Sequence, residues 1–173
     1  YSEEMMTEDQ LSPSSVEIYY DLPIVQNPFV DRHITFFQTT FKERFEVGLS
    51  RSGRYIPMMH ETLTRMNLPK DLVYLALIES NFSVKATSRA KAVGPWQFIK
   101  GTGRRYGLRI DKWIDERRDP EKSTRAAANY LKDLYEMFDS WPLAMASYNA
   151  GEHRVMKAMA RTQAGDVWTR EQT

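Results

Sequence analysis

Seven consecutive apolar residues, Leu72 to Ile78, run straight into Glu79 and Ser80. Such a run has to be buried, since apolar surface left in water forfeits roughly 25 cal/mol per Å². Periodicity alone does not separate a buried helix from a buried strand. The largely unbranched, leucine-rich composition, Pro69 in a first turn and Asp71 near the positive end predict a helix over 68–80. Apolar residues on every side of it predict a position at the domain centre. Glu79 is then a carboxylate at the end of a buried element. Desolvation disfavours its charged form and raises its pKa, the condition a general acid needs near neutral pH. A glutamate turned to solvent, or tied up in a structural ion pair, satisfies the same pattern.

The rest of the chain reads as helices around that element. Residues 1–28 are acidic at the start (Glu3, Glu4, Glu8, Asp9) and interrupted by Pro13, Pro23 and Pro28. They predict an extended arm, disordered or wrapped on the domain through Tyr19, Tyr20, Leu22, Ile24 and Val25. The helical domain is expected over 29–173. Ile34, Phe37, Phe41 and Phe45 build one helical face, with Asp31 as cap and Gly48 as stop. A second helix is expected from about Tyr55 or Pro57 to Met66, with Met58, Met59, Leu63 and Met66 inward. Residues 81–120 are punctuated by Gly94, Pro95, Gly101, Gly103 and Gly107 and read as a long loop-rich insertion, the kind that lines a site. Helical period returns over 121–138 through Ala127, Tyr130, Leu131 and Leu134. Further helices are expected at 141–150, capped by Asp139 or Ser140 with Gly151 after its end, and at 152–161. The fold class is all-α, without internal repeats or strands.

Charge and composition exclude several classes of partner. Twenty-four Lys and Arg against 23 Asp and Glu leave +1, with no dense basic, aromatic-interleaved patch for nucleic acid. The absence of cysteine removes thiol catalysis and zinc–thiolate sites. His33, His60 and His153 lack metal-ligand spacing, so neither metal nor cofactor is expected. No apolar run is long enough to span a bilayer, and no signal-peptide pattern is legible. The chain opens on Tyr1, which reads as a processed or truncated product and leaves room for a lost export signal or membrane anchor. Arg104, Arg105, Arg117 and Arg118 read as solvated or capping charges, with a minority reading in which some meet peptide carboxylates.

Three short segments stand out together: Glu79-Ser80, then SRAKAVGPWQ from Ser88 to Gln97, then SYNAG from Ser147 to Gly151. A turn at Gly94-Pro95 presents Trp96 and Gln97, whose amide offers the donors and acceptor that sugar hydroxyls and acetamido groups require. Tyr148 and Asn149 stand at a helix end. Taken singly, Gln97 is equally a surface turn residue, Trp96 a core plug and Asn149 a helix cap.

As an ordered set they resemble the lytic transglycosylase catalytic domain, which is related in fold to goose-type lysozyme. In that family a serine follows the catalytic glutamate by nine residues and a glutamine by eighteen, the positions of Ser88 and Gln97. The resemblance covers roughly residues 50–160, with a motif core of about 68–160. The stretch SRSGRYIPMMHETLTRMNLPKDLVYLALIESNF, with GPWQFI, RRYGL, DERRDP and SYNAGEHRVMKAM, is similar to the membrane-bound type D branch. It departs from the pattern at Pro95, Trp96 and Ser147, where relatives often have Leu, Met and Ala. LysM repeats, which often follow in type D relatives, are not legible before Thr173.

The resemblance implies a lysozyme-like helical domain whose glycine-rich loop lines a glycan groove. It implies non-hydrolytic cleavage of the β-1,4 bond between N-acetylmuramic acid and N-acetylglucosamine, with a 1,6-anhydro product. By family position, Glu79 is the sole acid/base. Ser88 and Gln97 contact substrate, Tyr148 orients Glu79 or the sugar with Asn149 in support, and Tyr130 lies near the sugar subsites. The implied partners are peptidoglycan strands and unidentified cell-wall proteins, and the implied location is the periplasm or cell envelope. Ordinary glycosidases use two carboxylates. Asp71 and Glu61 look like helix-surface residues, which leaves Glu152 as the best second candidate. A single carboxylate suffices when the nucleophile is tethered to the substrate. The alternatives are a lysozyme-like muramidase and a non-catalytic peptidoglycan-binding scaffold module.

Overall fold

The apolar run finds its cover between two long helices. The computed structural model describes residues 19–162 and contains seven α-helices among them: α1 Pro28–Gln38, α2 Lys42–Arg65, α3 Tyr74–Ser80, α4 Lys100–Arg105, α5 Pro120–Phe138, α6 Trp141–Ala150 and α7 Glu152–Thr162. Short 3-10 turns at Lys70–Val73 and Glu116–Arg118 precede α3 and α5. Among these residues the only β-type pairing is in isolated bridges, Thr87–Val93, Val93–Phe98 and Ile110–Asp115. No described helix is long and apolar enough to cross a membrane.

Met59 and Leu63 of α2, Leu72, Val73, Ala76 and Leu77 of the apolar run, and Ala127, Leu131 and Leu134 of α5 form one core with Trp96 and Phe82. The run is not covered all round, however. Tyr74 and Ile78 are 45% and 57% exposed, one turn apart on the same face. Its first turn is also tighter than an α-helix, at Lys70–Val73.

Two punctuation marks were misread from sequence. α2 runs unbroken through Gly48 and Pro57. Gly48 is buried where α2 meets α3: a Cβ there would lie 2.5 Å from Leu77 Cδ1. Its lack of a side chain therefore serves a close approach and not a helix stop. Pro57 is exposed, as is Gly53, whose carbonyl Pro57 leaves without its helical donor. Water reaches that carbonyl, so the helix continues. The break falls instead at Thr39–Phe41, where α1 ends. Asn27, not Asp31, caps α1, accepting from Phe29 N at 3.0 Å and Val30 N at 2.9 Å. None of α1 is buried; Phe37 instead packs on Phe41 and Phe45, with ring centroids 5.8 and 5.3 Å apart.

Most of the expected arm, residues 1–18, lies outside the described residues. Its end is pinned to the 3-10 turn. Asp71 accepts from Asp21 N at 2.6 Å and Leu22 N at 3.1 Å, and Asp21 accepts from Lys70 N at 2.7 Å. Asp71 is thus a docking residue for the arm. Leu22 packs against the core, whereas Tyr19, Tyr20 and Ile24 stay exposed.

The helices that carry site residues end as their local signals dictate. Asp119 caps α5 through Lys122 N at 2.9 Å, with Pro120 in the first turn. Ser140 caps α6 through Leu143 N, Pro142 follows, and Gly151 closes it at φ 90°.

Candidate active site

α3 stops abruptly because Asn81 and Phe82 both adopt left-handed backbone, with φ 52° and 55°. The Phe82 N–H closes on Ala76 O at 3.2 Å, a Schellman-type end. Glu79 therefore stands on the last turn, beside the C-terminal turn of α6. Asn149 Nδ2 donates to Glu79 Oε1 at 3.3 Å. Burial pushes the Glu79 pKa up, and the Asn149 bond, which favours the ionised form, only partly offsets this.

Ser80 ties Glu79 to the loop. Its hydroxyl donates to Pro95 O at 2.8 Å and accepts from Ser83 N at 3.1 Å. Residues 86–98 form a stack of tight turns: Gly94 N donates to Ala86 O at 3.0 Å, Val93 N to Phe98 O at 3.0 Å, and Ser88 N to Ala92 O at 2.9 Å. Gly94 has φ 84°, and a Cβ on it would sit 1.8 Å from Arg117 O, so only glycine fits. Gln97 also takes a left-handed conformation, φ 50°, rare for a residue with a Cβ. Its side-chain amide donates to Gly94 O at 2.8 Å, leaving its oxygen and a second N–H unused by that bond. Ser88 Oγ accepts from Ala92 N at 3.0 Å, which leaves its proton to give away.

Trp96 is the core plug. It is fully buried, its Nε1–H donates to Thr124 Oγ1 at 2.9 Å, and its carbonyl accepts from Tyr148 Oη at 2.7 Å. Of the pair expected to orient Glu79 or the sugar, Asn149 is the one that bonds Glu79, while the Tyr148 hydroxyl is given to Trp96 O. Tyr148 holds the loop, and burial together with the nearby Glu79 carboxylate raises its pKa well above the ordinary tyrosine range.

The loop's other strut is Arg117, expected at the surface but 7% exposed. Its guanidinium meets Asp115 with two bonds, Nε to Oδ1 at 2.8 Å and Nη2 to Oδ2 at 2.7 Å. It also donates to Lys91 O at 3.1 Å and Phe98 O at 3.0 Å. The pairing holds the Asp115 carboxyl below its ordinary pKa. Arg118 bonds Val84 O and Thr87 Oγ1, and Arg104 bonds Ile110 O. These three arginines are the loop's fasteners.

Together these elements enclose a groove of about 490 Å³ that holds every site residue expected from sequence: Glu79, Ser88, Gln97, Tyr130, Tyr148 and Asn149. An aromatic row, Tyr106, Tyr130 and Tyr148, runs beside it with centroids 4.9 and 5.2 Å apart. Arg105, read from sequence as a solvated or capping charge or, in the minority reading, a partner of peptide carboxylates, also lines the groove. So does Glu152, whose Oε2 accepts from Tyr130 Oη at 3.3 Å and whose Oε1 lies 3.9 Å from Arg105. Burial, and after it that carboxylate, lifts the Tyr130 pKa to about 12. Tyr106, in the RRYGL stretch, carries no signal in sequence that marks it for the site. It donates to Asp133 at 2.9 Å and supports Tyr130 from behind. Among the described residues no group of three or more His, Asp or Glu is arranged to hold a metal ion.

Residues 57–170 match the family model described as Transglycosylase SLT domain. The chain is 44% identical over 124 residues to the membrane-bound lytic murein transglycosylase D of Escherichia coli (strain K12), covering 69% of this chain and 27% of that protein. The transglycosylase D of Escherichia coli O6:H1 (strain CFT073) gives the same identity and coverage. The peptidoglycan transglycosylase gp16 of Escherichia phage T7 is 40% identical over 83 residues, or 47% of this chain and 6% of that protein. The chain thus spans about a quarter of the length of the transglycosylase D relatives it matches.

Proposed function

The chain belongs to the SLT transglycosylase family, and from that premise we propose that it cleaves peptidoglycan glycan strands without water. The bond broken is the β-1,4 link from N-acetylmuramic acid to N-acetylglucosamine, and the product ends in 1,6-anhydro-muramic acid. One observation carries this reading. Glu79 is a half-buried carboxyl with a raised pKa, held by a single amide, in a groove lined with hydrogen-bonding and aromatic side chains.

Glu79 begins protonated, as its environment favours. It gives its proton to the glycosidic oxygen while the bond from that oxygen to the muramyl C1 breaks. The resulting carboxylate, steadied by Asn149, takes the proton of the muramyl C6 hydroxyl as that oxygen bonds to C1. The proton balance closes on Glu79, so one residue serves as acid and then base. The nucleophile is already tethered to the sugar, which removes the need for a second carboxylate to position water. Ser88 and Gln97 present their remaining donors and acceptor to the acetamido group and glycan hydroxyls. Tyr130 and Tyr148 offer ring faces and edges to the sugars. Through this substrate we assign the protein to the cell envelope and, more narrowly, to the periplasm.

Hydrolysis is the second reading, and Glu152 is what favours it, being the other carboxylate lining the groove. It is already engaged by Tyr130 and Arg105, which suits a structural anion better than a free base.

Mass spectrometry of products from purified peptidoglycan separates the two. Anhydro-muramyl ends, one water lighter than reducing ends, are expected from the wild-type protein. Glu79→Gln is expected to lower turnover by about 10³-fold while strands still bind. Reducing ends that vanish in Glu152→Gln would establish the muramidase instead.

A further inference from the structure

A second cavity, of about 470 Å³, opens where α2 passes the chain leaving the catalytic helix. It is lined by Ser50, Arg51 and Arg54 from α2 and by Phe82, Ser83 and Lys85 from the segment after α3. Phe82 forms a buried apolar floor. No carboxylate lines it. Arg51 spends one N–H on Asn81 O at 3.3 Å, and Arg54 lies over the Tyr55 ring at 5.8 Å. None of the three cations has an ion-pair partner among the described residues, although exposed lysines and arginines elsewhere on α2 and α5 are paired with glutamates one turn away.

The charge continues along the loop. Seven of the chain's 24 basic residues and none of its 23 acidic ones fall between Ser80 and Ile110, so the other 17 basic residues face 23 acidic ones. Of those seven, Arg105 lies 3.9 Å from Glu152 and Arg109 pairs with Asp111, whereas Lys85, Arg89, Lys91 and Lys100 have no ion-pair partner among the described residues. Lys85, Arg89, Lys91 and Lys100 are all exposed there. Where a peptide is attached, the lactyl carboxyl is an amide, so the glycan backbone of such a strand is itself neutral. The anionic part of that polymer is the peptide carried on each lactyl group, with its side-chain and terminal carboxylates.

Building on the peptidoglycan reading above, we infer that this cavity is an accessory subsite for the carboxylates of a peptide substituent on the bound strand. Arg51, Arg54 and Lys85 receive the carboxylates, and the Phe82 floor takes the aliphatic part of the peptide. Lys85 follows Glu79 by six residues, so the subsite is built on the same chain segment as the acid/base. The enzyme then favours strands whose peptides carry free carboxylates over strands whose peptides are amidated.

Three substrates test this: strands with free peptide carboxylates, the same strands with those carboxylates converted to amides, and peptide-free strands. For the wild-type protein, kcat/KM on carboxylate strands is expected to exceed that on amidated strands about three- to tenfold, as one or two surface charge pairs allow. The gain should lie in KM and shrink as salt is raised. The double variant Arg54→Gln/Lys85→Gln is expected to lose most of that ratio, with the same circular-dichroism spectrum as wild type. Equal kcat/KM on carboxylate and amidated strands, or a ratio that survives in the double variant, overturns the subsite. Binding of the same strands to Glu79→Gln reads the preference without turnover. Preferential binding with no anhydro product from wild type would therefore sink the transglycosylase reading and leave the subsite, whereas equal affinities would sink the subsite alone.

Discussion

α5 and α6 on one side of the groove, and residues 81–119 on the other, are packed into the same core but hold their shape by different means. The two helices satisfy their own backbones and are ended by local caps, Asp119 and Ser140 at the starts and Asp139 and Gly151 at the ends. The loop segment cannot do this. Several of its carbonyls are met by side chains: Ser80 on Pro95 and Tyr148 on Trp96 from outside it, and Arg117, from its far end, on Lys91 and Phe98. Asn149 comes from the self-sufficient part and reaches across to Glu79 on α3, whereas Ser88 and Gln97 come from the dependent part. The acid is therefore anchored in a stiff frame, while the groups that face substrate hang on a few polar bonds.

Substitutions that load one region and spare the other put this contrast at risk. The largest effect is expected from Leu131→Ala, which empties a fully buried site on α5 and should cost about 3 kcal/mol. Denaturant unfolding should register it as a lower midpoint with an unchanged slope, and the folded fraction should retain its activity. Arg117→Met is expected to cost about 2 kcal/mol globally, less than a wholly buried pair would, because Asp115 is 27% exposed. Its signature is different: hydrogen exchange should quicken at residues 86–98, and activity should fall more than stability does. If exchange there is unaltered, the guanidinium is not the fastener. Acid does the same work in the wild-type protein. The Asp115 pKa is lowered by its bonds to Arg117, so its contribution is present above the ordinary aspartate range and is lost as pH falls through the depressed value.

Asn149→Ala tests the frame's own contribution. Its N–H favours the ionised form of Glu79, so removing it should raise that pKa further. The high-pH limb of kcat/KM, where the acid loses its proton, should then move upward, with a rate loss of about tenfold. A downward move would refute the geometry. Because the Glu79 pKa is raised on folding, its stabilising contribution is present below the ordinary glutamate range and is lost as pH rises through the raised value. The Glu79→Gln protein should thus be at least as stable as wild type at neutral pH. The smallest effect is expected from Ser147→Ala. Ser147 is fully buried and its hydroxyl meets no partner, so alanine there should stabilise by about 1 kcal/mol. Thermal unfolding reads this as a few degrees' rise in Tm; a fall would show that the hydroxyl has a partner after all.

Sequence reading was strongest where the physics is local. Ser140, Pro142 and Gly151 delimit α6 because a cap, a ring-fixed φ and a left-handed end act within one turn. The spacing from Glu79 to Ser88 and Gln97 brought both into the groove. It failed where meaning depends on a distant neighbour. Gly48 resembles any helix-ending glycine until Leu77 is seen against it. Arg117 resembles any surface arginine until two carbonyls from the loop close on it.

By itself, then, the amino-acid order determined the all-α class, most helix ends, the buried run that raises the Glu79 pKa, and the motif set that marks the family. These rest on hydrophobic period, capping chemistry and chain spacing, which operate between near neighbours. Only the tertiary structure decided that Asn149 bonds Glu79, that Tyr148 and Arg117 secure the loop, and that Arg51, Arg54 and Lys85 share one cavity. Each of those outcomes joins residues far apart in the chain, and a hydrogen bond or a shared wall between them exists only once the packing of the helices has fixed the distance.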